Sequence, residues 1–155
     1  MDIDIIADIQ KNHIPHLMEQ LKNDYYIDEN MIKEAIQHST SFNIVHLETA
    51  MKVDVFIKKN NSYGNRSLER KLKKSLTEDM ENTQFNFASP EDIILNKLKW
   101  YKIGNKVSER QWLDVLGVIK VQQNSLDIEY MKKWSKQLGI FGLLIKAFKE
   151  SEIPL

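Results

Sequence analysis

The chain contains no cysteine, which excludes disulfide bonds, thiolate zinc sites and a cysteine nucleophile. It has only five glycines and three prolines, and its first glycine is Gly64. No apolar run approaches the roughly 20 residues that a membrane-spanning helix needs, so we expect no membrane partner. The 22 basic and 22 acidic side chains cancel, which argues against a protein that is basic throughout but allows a local basic patch. The lack of cysteine fits a reducing compartment, and we expect a cytoplasmic protein.

Periodicity in the first half predicts strands alternating with helices. Apolar and polar residues alternate from the second residue onward, as in a strand. Two further alternating runs, separated by a few residues, predict a β-hairpin. Apolar residues three and four apart predict helices between the strands. The predicted elements are strands 2–6, 25–27, 42–47, 51–57 and 83–87, and helices 13–23, 28–38 and about 67–76.

The second half predicts helices only. Ser89 is placed to cap a helix in which Pro90 takes the first position. Ser108 and Gln111 have the spacing of a capping box, and two more amphipathic segments follow. We therefore expect an α/β fold in which a small mixed sheet is flanked by helices and followed by a C-terminal helical cap. The predicted domains are an α/β core, 1–88, and a helical subdomain, 89–155.

Three aspartates are candidates for a metal site. Asp2 and Asp4 project from one face of a strand, because side chains two apart in a strand point the same way. Asp54 lies in a strand whose Val53 and Val55 face the other way. If the two strands are neighbours, the carboxylates converge, and Mg²⁺ is a cation that takes such oxygen ligands. The alternative is that these aspartates simply line the solvated face of surface strands.

Three blocks of this sequence, in this order, resemble the DNA-polymerase-β-like nucleotidyltransferase superfamily. The first is Asp2-Ile3-Asp4-Ile5-Ile6, and the second is Val53-Asp54-Val55-Phe56-Ile57. The third joins the segment 88–98 to Arg110-Gln111-Trp112-Leu113-Asp114-Val115. This last block is similar to the small bacterial and archaeal branch that includes the AbiEii-type toxins. The resemblance covers nearly the whole chain.

The resemblance implies a role for each acid on the predicted sheet. Asp2 and Asp4 match the paired metal ligands, and Asp54 matches the acid that ligates metal and accepts the proton of the attacking hydroxyl. It implies Mg²⁺ or Mn²⁺ as cofactor and an NTP as substrate. The acceptor would be a hydroxyl or phosphate on RNA, on a protein or on a small molecule.

The resemblance also implies roles for three residues of the cap. Lys97 matches a lysine that steadies nucleotide phosphates, and Asp114 matches an acid near the nucleotide. Arg110 lies close enough in sequence to serve either the phosphates or Asp114. The alternative for all three is a salt-bridge network that orients two helices.

One part of the family pattern is missing. The family has a strand, a Gly-Gly or Gly-Ser turn and a helix before its Asp-x-Asp, and this chain has no glycine before Gly64. We expect a fragment, a shortened gene model or a degenerate member that binds nucleotide poorly. The alternative function is a non-catalytic remnant that acts as an interaction module, as a homodimer or within a toxin–antitoxin pair.

A basic run gives a further alternative. Between Lys58 and Lys74 there are seven basic residues and one acid, Glu69. The run is typical of a solvated helix face. It also suits attraction of an RNA or of an anionic protein.

Overall fold

The strands and helices of the chain alternate as in an α/β protein. A computed structural model describes residues 2–76 and 83–155, and of Asp2 it describes the backbone only. Within these residues there are seven α-helices, a four-stranded mixed sheet and a two-stranded sheet, so the predicted α/β class is confirmed. The chain forms two compact units, 1–64 and 65–155. The boundary predicted after residue 88 rests on the change in composition and stays a prediction.

The first unit is built on the four-stranded sheet. Its strands lie in the order β1-β4-β3-β2. The outer strand β1 is parallel to β4, whereas β3 is antiparallel to both β4 and β2. The predicted hairpin is thus confirmed as β3–β4. The elements are β1 (Asp2–Ala7), α1 (Ile14–Leu21), β2 (Tyr25–Tyr26), α2 (Glu29–His38), β3 (Ser41–His46) and β4 (Lys52–Ile57).

The core of this unit lies between one face of the sheet and its two helices. Helix α2 begins where Asp28 accepts a hydrogen bond from the backbone N–H of Met31, at 2.9 Å. Ile14 of α1 and Ile32 of α2 are both buried. They belong to one cluster with alternate residues of the two central strands, which shows which face of the sheet is covered. The sheet contributes Phe42, Ile44, Val53, Val55 and Ile57.

Strand β1 is less covered than its neighbour. Ile3 and Ile5 lie in register with Val53 and Val55, and therefore on the core face. They are nevertheless 38% and 43% exposed, while Val53 and Val55 are 7% and 6% exposed. The difference follows from position, because β1 is the outermost strand of this sheet.

The second unit is mainly helical. Ser89 caps α4 by accepting a hydrogen bond from the N–H of Asp92, and Ser108 caps α5 in the same way through Gln111. Gly139, with φ +67°, follows α6 and closes it, as a C-terminal glycine commonly does. The predicted four helices are confirmed as α4 (Pro90–Ile103), α5 (Glu109–Gln122), α6 (Ile128–Gln137) and α7 (Phe141–Glu150). Over the described ranges 2–76 and 83–155, no helix is both long enough and apolar enough to cross a membrane.

The predicted basic helix, about 67–76, is wrong. Helix α3 (Ser62–Glu69) begins five residues before the predicted start and ends before Lys71. The lysine-rich part is instead strand β5 (Leu72–Lys74), which pairs antiparallel with β6 (Phe85–Phe87). Leu72 and Leu76 are spaced for a helix, but pairing with a distant strand decides the local conformation.

Candidate functional site

The first unit brings two of the predicted acids together. Asp4 of β1 and Asp54 of β4 are direct neighbours in register on parallel strands. Residues in register on parallel strands have their side chains on the same face, and their backbones lie about 4.8 Å apart. Val53 and Val55 point into the core, so Asp54 and its neighbour Asp4 lie on the opposite face. The predicted convergence of these two carboxylates is therefore consistent with the sheet register.

Two residues that the sequence reading missed lie beside this pair. Asn43 of β3 is in register with Asp54 from the other side, so Asp4, Asp54 and Asn43 form a row across three strands. Lys52 is two residues before Asp54, and its Nζ lies 2.9 Å from Asp54 Oδ1. Alternation carried a signal for both, because Lys52 is in phase with Asp54 on the same strand and Asn43 alternates with Phe42 and Ile44 on its own strand.

The electrostatics of the row are compensated within the chain. Two carboxylates in register repel each other, and the ammonium of Lys52 offsets part of that repulsion. The side chain of Asp54 is 24% exposed and that of Lys52 is 45% exposed. A site with this accessibility can exchange its counter-ion with solvent. A divalent cation would therefore have to compete with Lys52 for the Asp54 carboxylate.

Asp2 is the third predicted metal ligand, and only its backbone is described. The backbone of Asp2 is in β1, in register with Lys52, but its side chain lies outside the described residues. Among the side chains that are described, no group of three or more His, Asp or Glu residues is arranged to hold a metal ion. The predicted triad thus stays a prediction, with Asp4 and Asp54 as its two neighbouring members.

The other predicted residues belong to the second unit. Lys97 of α4 and Asp114 of α5 form an ion pair, with Nζ 2.7 Å from Oδ2. Their side chains are 30% and 45% exposed, and pairs of this kind contribute about 0–1 kcal/mol to stability. Arg110, one turn before Asp114 on α5, is exposed. The geometry fits a link between two helices, and it also leaves the Lys97 ammonium accessible to an anion.

A buried polar network, which the sequence reading missed, lies in the same unit. The Tyr130 hydroxyl donates to Asp92 Oδ1 at 2.7 Å, and the Ser89 hydroxyl donates to Asp92 Oδ2 at 2.9 Å. Asp92 is 1% exposed, so these bonds replace water around its carboxyl group. Burial and the neighbouring Asp92 carboxyl raise the pKa of Tyr130 well above its ordinary value, which keeps its hydroxyl a donor.

Arg70 joins a second set of acids to this network. Its guanidinium lies 3.2 Å from Glu91 and 3.3 Å from Asp127, and 4.0 Å from the ring centroid of Tyr130. Glu91 also accepts the backbone N–H of Asp127 at 2.9 Å. Burial opposes the charge of Glu91, but hydrogen bonds from the Asp127 and Glu91 N–H groups, with Arg70 nearby, lower its pKa. The arrangement connects the chain after α3 with the starts of α4 and α6.

The comparisons with known proteins add no assignment. No protein-family model, curated protein or solved structure matches this chain. The nucleotidyltransferase resemblance therefore stays a prediction.

Proposed function

We propose that this chain is a magnesium-dependent nucleotidyltransferase-like protein. It would transfer a nucleoside monophosphate from an NTP to a hydroxyl or phosphate on RNA, on a protein or on a small molecule. The observation that carries the proposal is the register of Asp4 beside Asp54, on the face of the sheet opposite the core. Asp2 precedes Asp4 by two residues on the same strand and would complete the acidic set.

The donor atoms fit the proposed metal. Carboxylates of Asp4 and Asp54, with the amide of Asn43 next in the row, offer oxygen ligands of the kind that Mg²⁺ and Mn²⁺ take. When bound, the cation would neutralise charge on the carboxylates and on the NTP phosphates. The ammonium of Lys52 supplies a single positive charge at the same carboxylate, and this is what the cation would displace.

The chain's own residues would act on the proton and the phosphates. The acceptor oxygen forms a bond to the α-phosphorus of the NTP, and the bond from that phosphorus to the bridging oxygen breaks, so that pyrophosphate leaves. Asp54 accepts the proton of the acceptor hydroxyl. Within the second unit, Asp114 orients Lys97 through their ion pair, and the phosphate-binding roles that the resemblance gives to Lys97 and Arg110 stay separate predictions. The assay uses millimolar NTP, at the upper end of the usual range of KM.

The test is transfer of label from an α-labelled NTP in the presence of Mg²⁺ or Mn²⁺, with cellular RNA and the chain itself as acceptors. Asp54→Asn should lower the transfer rate by roughly 10²–10⁴-fold, as the loss of a general base does. Asp4→Asn should raise the metal concentration needed for half-maximal transfer, because it removes a carboxylate ligand. Asp24→Asn is the matched control, because Asp24 is an exposed aspartate of the same unit. Transfer that survives Asp54→Asn would remove this residue from the mechanism.

A second candidate function is a non-catalytic interaction module. Two observations favour it: Lys52 already compensates Asp54, and β1 is an outer strand with exposed Ile3 and Ile5. In that case Asp54 has a structural counter-ion and needs no metal. Binding of Mn²⁺, followed by electron paramagnetic resonance, separates the candidates. Lys52→Met should strengthen Mn²⁺ binding if the acids form a metal site, and should leave it absent if they do not.

A further inference from the structure

A small ribbon in the second unit has the composition of a ligand surface. Strands β5 and β6 pair antiparallel, with Leu72 opposite Phe87 and Lys74 opposite Phe85. All six residues of the two strands are exposed. A two-stranded ribbon is at best marginally stable by itself, and its apolar residues Leu72, Phe85 and Phe87 still expose 37–39% of their surface.

One face of the ribbon presents two aromatic rings. Phe85 and Phe87 are two residues apart and therefore lie on the same face, about 7 Å apart along the strand. They are 39% and 37% exposed. The cross-strand neighbour of Phe85 on this face is Lys74, and that of Phe87 is Leu72. The face thus combines two flat apolar surfaces with a positive charge beside one of them.

The ribbon is also positively charged. Lys71, Lys73 and Lys74 are exposed, and the segments 71–76 and 83–88 contain no acidic residue. Three other cations of the basic run form ion pairs within the chain. Lys58 pairs with Asp8, Arg66 pairs with Glu69, and Arg70 pairs with Glu91 and Asp127.

We propose that the β5–β6 ribbon binds single-stranded nucleic acid. Phe85 and Phe87 would stack on two bases, and Lys74 would attract a phosphate on the same face. The long side chains of Lys71 and Lys73 would reach neighbouring phosphates at the edge of the ribbon. Stacking on aromatic side chains of strands, combined with a basic backbone track, is a general physical solution for binding unpaired strands. An acidic peptide would satisfy the lysines but would leave the two rings without a partner. Binding by the ribbon does not require the carboxylates of the first unit. The further idea that the bound nucleic acid is the acceptor of nucleotide transfer rests on the proposed function.

The test is binding of a labelled oligouridylate of roughly 12 nucleotides, followed by fluorescence anisotropy at low salt without NTP or divalent metal. We expect saturable binding that weakens with salt, with a slope of log K against log salt near about −2 for three phosphate contacts. An oligothymidylate of the same length shows whether the 2′-hydroxyl contributes. Because the assay contains no metal or NTP, its result does not depend on whether the chain transfers nucleotides.

Substitutions separate stacking from plain apolar contact. Phe85→Leu with Phe87→Leu keeps the surface apolar but removes the rings, and should weaken binding by roughly 5- to 150-fold for each stacked base. Phe85→Trp with Phe87→Trp should retain binding, and the new indole fluorescence should be quenched by the oligonucleotide. Tyr26→Leu is the control, because Tyr26 is an exposed aromatic residue, at 59%, in the first unit.

A second set of substitutions concerns charge. Replacement of Lys71, Lys73 and Lys74 by Gln should weaken binding and bring the salt slope close to zero. The matched control replaces three other exposed lysines by Gln, namely Lys22, Lys120 and Lys149. It changes net charge by the same amount but should leave the salt slope unchanged.

Three results would overturn the proposal. The first is no binding of either oligonucleotide at low salt. The second is binding that the Phe→Leu pair leaves unchanged. The third is equal competition by polyglutamate, which would make the ribbon a site for acidic protein. Circular dichroism shows whether the Leu variants fold. If they do not, the Trp variants provide the test, because oligonucleotide binding without quenching of the indole fluorescence also refutes stacking.

Discussion

The buried hydrogen bond from Tyr130 to Asp92 predicts a measurable loss of stability when the hydroxyl is removed. Tyr130→Phe keeps the ring, and with it the contact at 4.0 Å with Arg70. It deletes the donor that lies 2.7 Å from Asp92 Oδ1, and Asp92 as a residue is 1% exposed. A buried acceptor left without its partner costs about 1–3 kcal/mol, because water does not reach it.

The assay is thermal or urea unfolding at neutral pH. For a chain of 155 residues, 1 kcal/mol corresponds to about 2–4 °C in Tm, so we expect a decrease of about 2–12 °C. Tyr101→Phe is the control in the same unit, because Tyr101 is partly exposed and contacts Trp112 through its ring, which Phe retains. A loss below about 0.5 kcal/mol, or one equal to that of Tyr101→Phe, would refute the argument.

High pH provides an independent check of the same bond. Burial and Asp92 raise the pKa of Tyr130 above its ordinary value of 10.0. The folded chain therefore keeps this proton at a pH at which the unfolded chain loses it. Its contribution to stability is full below pH 10 and is lost as the pH rises toward the folded-state pKa. Wild type should lose stability above about pH 10 more steeply than Tyr130→Phe.

Three further predictions concern other positions. Because the pKa of Glu91 is lowered in the folded chain, its ionised carboxylate contributes to stability above the ordinary pKa of 4.5, and this contribution is lost as the pH falls through the folded-state pKa. Glu91→Gln should therefore reduce the loss of stability at acidic pH, as measured by urea unfolding. Gly64→Ala should destabilise the fold, because the new Cβ would lie 2.2 Å from a backbone carbonyl oxygen. Gly117→Ala, whose new Cβ has no atom within 4 Å, should stabilise the fold by about 0.5–1 kcal/mol in chemical denaturation. Lys97→Met and Asp114→Asn should each change stability by less than about 1 kcal/mol, and a larger loss would assign the pair a structural role.

Local patterns in the sequence were sufficient for most elements. The helix caps at Asp28, Ser89 and Ser108 were predictable because capping depends on residues within one turn. The β3–β4 hairpin was predictable because its strands are close in sequence and alternate clearly. By contrast, Leu72–Lys74 pairs with residues more than ten positions away, and that pairing overrides a local spacing that suits a helix.

The buried network could not be predicted for the same reason. In the sequence, Glu91 and Asp92 are acids in the first turn of a helix, where acids are usually exposed and interact with the helix dipole. Their burial depends on Arg70, about twenty residues earlier, and on Tyr130, 38 residues after Asp92. Nothing in the local pattern around the helix start indicates either partner.

The candidate site, in contrast, follows from the core itself. Ile3 and Ile5 are on the core face because they are in register with Val53 and Val55, and this register also places Asp4 beside Asp54. A slip of one residue would turn the partly covered isoleucines outward and move Asp4 toward the core, so the register determines which face the carboxylates share. Convergence alone therefore does not demonstrate function, since any two amphipathic strands in this register would show it. What distinguishes a metal site from a solvated polar face is whether a divalent cation displaces Lys52 from Asp54.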